Sequence, residues 1–567
     1  MIRKIFTRDK CINKLLVVLL ALVIITPAVF RLARPGFFSM YDDMQVIRLQ
    51  QMDVCIKDGQ IPCRWVPDLG LGYGYPLYQY YAPLPYYFME AIHLLGFSYI
   101  NSVKMGFAIS IFFAALFFYL FSRRFFSTAA SLAATFLYFY APFRAQDLYV
   151  RGAMGELWGA ASIPLLFYAF ERLLAKKNTI SFLLFSISVF IFFISHNLTI
   201  LIFAPFIIAW ILLRVWMLEK SRPIEVKVAV SWLLGMGMAA FYIVPLLLEK
   251  NLVHIETLTS GYFGYLQHFL SIKQLFLSTV WGYGPSILGV KDIAFLGLGP
   301  IHSILAVLGF VAVVYKFGIK NRKIVIPLFL IISFLGYSFL SHERSTFIWK
   351  LFNMDILQFP WRFVMVSVFL SSLLAGYFVD IFSKISRKTV AIAIIVLTLI
   401  LYGNYFQPKD WFDITDNEKL TGENLKKQLT ASIYDYLPKS AKRAPDNIAS
   451  IDPVIIIGEV ETISSRKGSN WFKYDLRVDT DSAYVALPAY DFPNWKVFSD
   501  GKKLATKQYG DFGLVSFEIT NGQVSVDAFL ERSWPRKLGD AISTIALLFF
   551  GWIFLGKSKR WKDFIKL

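Results

Sequence analysis

The chain has 567 residues, 56% of them hydrophobic and only 17% charged, with a formal net charge of +19. A soluble fold of this size has no interior able to hide so much apolar surface, and runs of roughly 20 apolar residues are the length that spans a bilayer core. The basic excess is spread through short loops between apolar runs, with no basic patch of base-reading chemistry set apart from them, so nucleic acid is not expected as a partner.

In chain order, the basic N-terminus (Arg3, Lys4, Arg8, Lys10 and Lys14) precedes an apolar run from Lys14 to Phe30 with no small-residue cleavage site after it. This reads as an uncleaved signal anchor with its N-terminus inside. Further spans are expected near 100–121, 127–143, 153–173, 180–195, 197–217, 228–248, 294–315, 324–340, 361–382, 389–406 and 537–555. Lysine and arginine in alternate short loops then fall on one side: Arg123/Arg124, Lys176/Lys177, Lys220/Arg222/Lys227, Lys316 to Lys323, Lys384 to Lys388 and Lys557 to Arg560. The apolar stretch Pro83–Phe97 is short for a span. Counting it would put every later basic loop outside, so it is assigned to a juxtamembrane helix. The reading is a polytopic α-helical membrane protein of about 12 transmembrane helices, in the cell membrane, with both termini cytoplasmic.

Three outer segments are long: 35–95, 249–292 and 407–536. The chain therefore divides into a transmembrane region over 1–406, an outer strand-rich domain over 407–536, and a last helix with a basic tail over 537–567. Polar and apolar residues alternate after Tyr474 and Ser482, and Asp500-Gly501 and Asn521-Gly522 are two-residue hairpin signals, so a small antiparallel β-sandwich is expected.

Carboxylates are nearly absent from span interiors and gather at outer span ends, which favours chemistry at the outer face over a proton path through the bilayer. Asp42, with Asp43 beside it, follows span 1. It is a candidate to take a proton from an acceptor hydroxyl, or else a helix cap. Arg151 and Arg362 stand at outer span ends, where arginine binds phosphate bidentately or pairs with Glu156 or Asp355. Gly70 to Pro76 lacks the strand–loop–helix context of a nucleotide site. His196, His254 and His268 are candidates for a catalytic or metal role, against the plainer reading of surface histidines. Cys55 and Cys63, seven residues between them, could form a disulfide on an oxidising face, which geometry decides. Cys11 on the reducing side is expected free. No zinc-type Cys/His spacing occurs. Clustered carboxylates could hold a divalent ion, and the sequence leaves metal dependence open.

Several of these stretches together resemble a known family. Tyr41-Asp42-Asp43, Asp58 to Trp65 (DGQIPCRW), Gly72 to Pro76 (GYGYP) and Tyr81 to Tyr87 (YAPLPYY) look like the first outer loop of YfhO-like bacterial membrane proteins. Leu148 to Glu156 (LYVRGAMGE), Leu357 to Phe363 (LQFPWRF), Tyr434 to Pro438 (YDYLP) and Phe492 to Trp495 (FPNW) follow in the order of that family. Relatives carry the label 6-pyruvoyl-tetrahydropterin synthase-related, yet no pterin chemistry is legible here. The family resembles the GT-C superfamily of membrane glycosyltransferases, which take sugars from polyprenyl-phosphate carriers at the outer face. The resemblance implies a GT-C-like fold, with Asp42 matching the catalytic aspartate and Asp43 the close alternative. It implies Arg151 and Arg362 on the donor phosphate, supported by Glu156, Tyr41, Arg64 and Trp361. Tyr41 stands where the pattern often has histidine.

The expected function is transfer of a monosaccharide from a polyprenyl-phosphate donor to an extracytoplasmic glycan or polymer, with inversion. The loop carrying Glu249, His254 and His268 would help form the acceptor cleft. Two alternatives are a flippase for a lipid-linked glycan and a non-catalytic scaffold in envelope assembly.

Overall fold

A computed structural model of the protein describes residues 14–218, 222–284, 286, 296–431 and 433–556. Arg3, Lys4, Arg8, Lys10, Cys11, Lys220, Asp292, Lys557, Lys559 and Arg560 lie outside the described residues.

Leaving aside short helical turns and the helix Gly422–Thr430, the helices in chain order are α1 (Lys14–Val29), α2 (Gln45–Lys57), α3 (Leu84–His93), α4 (Tyr99–Ser122), α5 (Thr128–Phe139), α6 (Met154–Lys176) and α7 (Thr179–Ser195). Then come α8 (Asn197–Trp216), α9 (Arg222–Met238), α10 (Ala240–Leu248), α11 (Pro300–Phe317), α12 (Val325–Leu340), α13 (Val364–Asp380), α14 (Lys384–Tyr402) and α15 (Trp534–Leu555). Among the described residues seven helical stretches are long and apolar enough to cross a membrane, or eight if α9 and α10, which meet at 73°, form one broken span. Those stretches coincide with seven or eight of the twelve expected spans. Apolar helices are also present near 15–34, 127–143 and 180–195; the second and third of these, α5 and α7, are shorter than that measure. A 3-10 turn at Phe30–Ala33 ends the first, Pro142 starts a new turn after α5, and extended backbone at His196 (φ −167°, ψ 123°) divides α7 from α8. Helix α6 has the length, but Glu156, Glu171 and Arg172 lower its apolarity. Pro83–Phe97 yields only the ten-residue helix α3, beside α2 and α4.

The C-terminal strands are β3 (Val454–Ile457), β4 (Val460–Lys467), β5 (Trp471–Tyr490), β6 (Trp495–Ser499), β7 (Lys502–Leu504), β8 (Lys507–Tyr509) and β9 (Leu514–Leu530), after a small pair formed by β1 (Phe37–Phe38) and β2 (Trp411–Phe412). Strands β3 to β9 make one seven-stranded antiparallel sheet, not the two packed sheets of a sandwich. Two long strands, β5 and β9, pair from Trp471↔Phe529 to Tyr490↔Leu514 and run through it. Their inward residues, among them Leu476, Val485, Phe517 and Val526, are buried at every second position. The apolar face is covered by Trp65, Tyr80, Val253 and Leu437 rather than by a second sheet. Asp500 and Gly501, both at positive φ, form the two-residue turn joining β6 to β7. Asn521-Gly522 is no turn: it lies inside β9, where the register against β5 shifts between Val478 and Ser482.

The sheet and its lead-in are bound to the first long loop. Asp58 accepts hydrogen bonds from Ser469 and Trp471, and Lys467 donates to the carbonyls of Pro67 and Gly72. Trp65 packs on Phe492 and Trp495 with ring centroids 5.6 and 6.1 Å apart. Cys55 and Cys63 are joined by a disulfide, Cα atoms 5.5 Å apart, closing the turn between α2 and Trp65.

Candidate functional site

One large cavity, about 970 Å³, opens at the end of the helices where the long loops meet. Its polar lining includes residues from segments far apart in sequence: Asp42 and Arg48, Arg151 and Glu156, His196, Lys250, Arg362 and Asp435.

Asp42 is placed by backbone first. The N–H groups of Tyr41 and Asp42 donate to the carbonyls of Val150 and Arg151, each at 2.9 Å, so the two turns lie side by side. Gly152, at φ +65°, has no room for a Cβ against the Met40 side chain, and its carbonyl accepts from Gln45 Nε2 at 2.9 Å. The same Gln45 nitrogen reaches Asp42 Oδ2 at 2.9 Å, and Arg48 Nη1 reaches it at 2.7 Å. Arg48 is buried, with its guanidinium 4.5 Å from the Tyr81 ring centre. Both donors come from α2, so that helix aims the carboxylate and engages Oδ2 alone.

Asp43 is separated from Asp42 by its direction. Its Oδ2 accepts from Lys419 at 2.6 Å and it does not line the cavity. Burial pushes the Asp43 carboxyl up, against the pull of Lys419. Adjacent residues at a bend point to different sides, so the two aspartates occupy different surroundings.

Arg151, Glu156 and Arg362 form one buried cluster. A wide helical turn at Gln146–Val150 places Asp147 and Arg151 four residues apart on one face. Arg151 donates to Asp147 at 2.6 Å and to both oxygens of Glu156 at 2.7 Å. Arg362 Nε donates to Glu156 Oε1 at 3.0 Å, and its Nη1 bonds Gln358 and the Leu357 carbonyl. Arg362 therefore pairs with Glu156 and not with Asp355. Trp361 carries the Arg151 guanidinium on its ring at 4.4 Å. Burial, together with Glu156 nearby, raises the Asp147 carboxyl to about 7. Arg144 joins Asp147 at 3.3 Å, so three guanidiniums meet two carboxyls and the cluster is positive. His196 stands against Glu156, its Nδ1 bonded to Thr199, and burial lowers its pKa to about 4, keeping the ring neutral.

No family model matches this chain. A curated relative, an uncharacterized protein of Lactococcus lactis subsp. cremoris (strain MG1363), is 24% identical over 202 residues, 34% of this chain and 33% of that protein. The match thus covers a third of the relative's length. Among solved structures, the apo oligosaccharyltransferase of Archaeoglobus fulgidus is similar with a TM-score of 0.47 at 13% identity, over 79% of this chain and 62% of that one. The mycobacterial arabinofuranosyltransferase AftD has a TM-score of 0.45 at 12% identity, over 71% of this chain and 28% of that one.

Several sequence candidates lie elsewhere. Arg64 pairs with Asp540 at 2.5 Å and donates to the Phe241 carbonyl, tying the first loop to α15. Glu249 is buried between Gln79 (2.8 Å), Arg536 (3.0 Å) and Ser533. His254 bonds Glu256 and the Ala441 carbonyl, and His268 bonds the carbonyls of Tyr262 and Ser286. None of these four lines the cavity. The 249–292 loop contributes through Lys250, Val253, Leu258, Tyr262 and Phe263 instead, because His268 is spent on carbonyls of its own loop and His254 on Glu256 and the Ala441 carbonyl. Tyr41 lines the mouth and donates to the Tyr283 carbonyl at 2.8 Å. Among the described residues, no three His, Cys, Asp or Glu side chains gather as around a metal ion. Sequence reasoning passed over Arg48, Gln45 and Tyr81. The signal available was a glutamine and an arginine, three and six residues after Asp42, on one helix.

Proposed function

We propose that this chain is a membrane glycosyltransferase that moves a monosaccharide from a polyprenyl-phosphate donor to an extracytoplasmic cell-envelope glycan or polymer. The observation that carries the reading is the shared cavity. An open carboxylate, Asp42, and a positive arginine cluster, Arg151 with Arg362, face one space whose other walls are mostly aliphatic and aromatic, including Leu198, Leu201, Leu247 and Phe263. A lipid-linked phosphosugar needs that combination: apolar walls for the chain, cations for the phosphate, and a carboxylate for the incoming hydroxyl.

Arg362 Nη2 donates to none of the described residues, leaving it for a phosphate oxygen. Asp42 Oδ1 would accept the hydrogen bond, and then the proton, of the acceptor hydroxyl while Arg48 and Gln45 hold Oδ2. The acceptor oxygen forms its bond to the anomeric carbon as the bond to the phosphate oxygen breaks. The phosphate leaves with the electron pair and is neutralised by the arginines, so no separate acid is required. Attack opposite the leaving phosphate inverts the anomeric carbon.

The test is sugar transfer from radiolabelled polyprenyl-phosphate donors in membranes carrying wild type, Asp42→Asn or Asp43→Asn at matched abundance. Wild type should transfer, and Asp42→Asn should fall by about 10²–10⁴-fold, the usual weight of a general base. Asp43→Asn should keep most of the activity. Equal transfer by wild type and Asp42→Asn refutes the assigned base. No transfer by wild type refutes the transferase reading in favour of a flippase or scaffold.

A further inference from the structure

Away from the cavity, Oδ1 of Asp53 and both carboxyl oxygens of Glu90 are buried without a hydrogen-bond partner. The residues are 3% and 2% exposed. Asp53 is on α2 and Glu90 on α3, the two helices pack together, and the charge of the Asp53 carboxyl acts on that of Glu90. Asp53 Oδ2 accepts from the Tyr99 hydroxyl at 2.5 Å and from Lys57 at 2.8 Å. The other charged or titratable groups facing the pair are few. His93 on α3 stacks on Tyr99 at 4.0 Å, and Asp416 accepts from the backbone N–H groups of Tyr99 and Ile100. Lys57 is 63% exposed at its side chain, so solvent screens its charge.

Two ionised carboxylates cannot share a buried contact with one solvent-facing lysine at low cost. If one carboxyl keeps its proton, it becomes a donor to the other, and the repulsion becomes a hydrogen bond. We propose that Asp53 and Glu90 hold one proton between them, and that this pair clamps α2 to α3 and so positions Asp42. Helix α2 also carries Gln45 and Arg48, which grip Asp42, and α3 carries Tyr86, whose hydroxyl donates to Gln45 Oε1 at 2.6 Å. The clamp and the Asp42 supports are thus two ends of one helix–helix contact. Burial, with the Asp53 carboxylate beside it, raises Glu90 to about 7, so the clamp releases across neutral pH. The pairing stands by itself; its effect on Asp42 rests on the transferase reading.

The experiment treats full-length protein in detergent micelles with dicyclohexylcarbodiimide, which attacks protonated carboxyls in apolar surroundings. Modification of the peptide bearing Glu90 is followed by mass spectrometry over about pH 5.5–9. Modification should halve near pH 7. In Asp53→Asn the midpoint should drop by about one unit, which is about fivefold less modification at pH 7. A Glu90 inert at about pH 6, or a midpoint that Asp53→Asn leaves in place, overturns the pairing. Glu90→Gln supplies a second readout. The wild type should lose thermal stability relative to this variant as pH rises from about 4.5 to about 7, since a raised folded pKa stabilises most below the unfolded value. A pH-independent difference overturns the pairing as well. The ratio of sugar transfer by Glu90→Gln to that by wild type should rise above about pH 7; a flat ratio removes the positioning role. If wild type transfers no sugar, the positioning role falls with the transferase reading, while the labelling still decides the pair.

Discussion

Glu156 is the keystone of the arginine cluster, and replacing it by glutamine tests the electrostatics of the site without reference to activity. The amide keeps the shape and one acceptor oxygen but removes the charge that Arg151 reaches at 2.7 Å through two nitrogens and Arg362 reaches at 3.0 Å. At an effective dielectric of about 20, unit charges about 4 Å apart attract by about 4 kcal/mol, and Glu156 has two such partners. Desolvating the carboxylate offsets part of this, so the expected net loss in Glu156→Gln is about 3–5 kcal/mol, the usual cost of stranding a buried partner. The assay is the fraction of protein that stays monodisperse in detergent after heating, wild type against variant. The variant should lose its fold at a lower temperature. Inorganic phosphate should then protect it more than it protects wild type, by mass action on a site with one more uncompensated cation. A variant as heat-resistant as wild type, and indifferent to phosphate, would refute the cluster as an electrostatic unit and with it the argument for a phosphate site.

Three further outcomes are expected. Gly309 on α11 faces α13, and a Cβ there would fall on the Leu374 carbonyl, so Gly309→Ala should lower the thermal midpoint by forcing two helix backbones apart; an unchanged midpoint would show the crossing to be looser. The double variant Cys55→Ser/Cys63→Ser should lose about 2–4 kcal/mol, and wild type should show the bridge by mass shift on reduction; neither effect would appear if both thiols were free. His196 is held neutral in the folded protein, with its pKa near 4 against 6.5 for the free side chain. Between those values the unfolded chain binds more protons, so stability should rise with pH across that window and hold above it. His196→Asn should flatten that slope, measured as thermal midpoint against pH.

What local patterning determines is legible in the sequence. Apolar runs placed the long helices at 100–121, 197–217 and 361–382 within a few residues, because helix formation in an apolar stretch depends on neighbours three and four positions away. Asp500-Gly501 announced its turn because that turn demands positive φ at both positions, which is a property of two residues. Asn521-Gly522 carries the same signature, yet β5 captures it in a continuous strand, since only the partner strand decides whether a chain reverses. The 73° bend after Met238, inside the span expected at 228–248, has a similar cause: it depends on how helices pack, not on their apolarity.

The candidate site divides along the same line. Residue types identified Asp42, Arg151, Glu156 and Arg362, because carboxylates and arginines at the ends of apolar helices need a reason to be there. Their company came from the tertiary structure alone: Asp42 open to a cavity, Asp43 turned to Lys419, and Arg64, Glu249, His254 and His268 consumed in bonds that hold loops and helix ends in place. Side-chain direction at a bend, and the pairing of charges over hundreds of residues, are set by packing and backbone hydrogen bonds between distant segments. A linear sequence names the charges, and only the folded chain decides which of them meet.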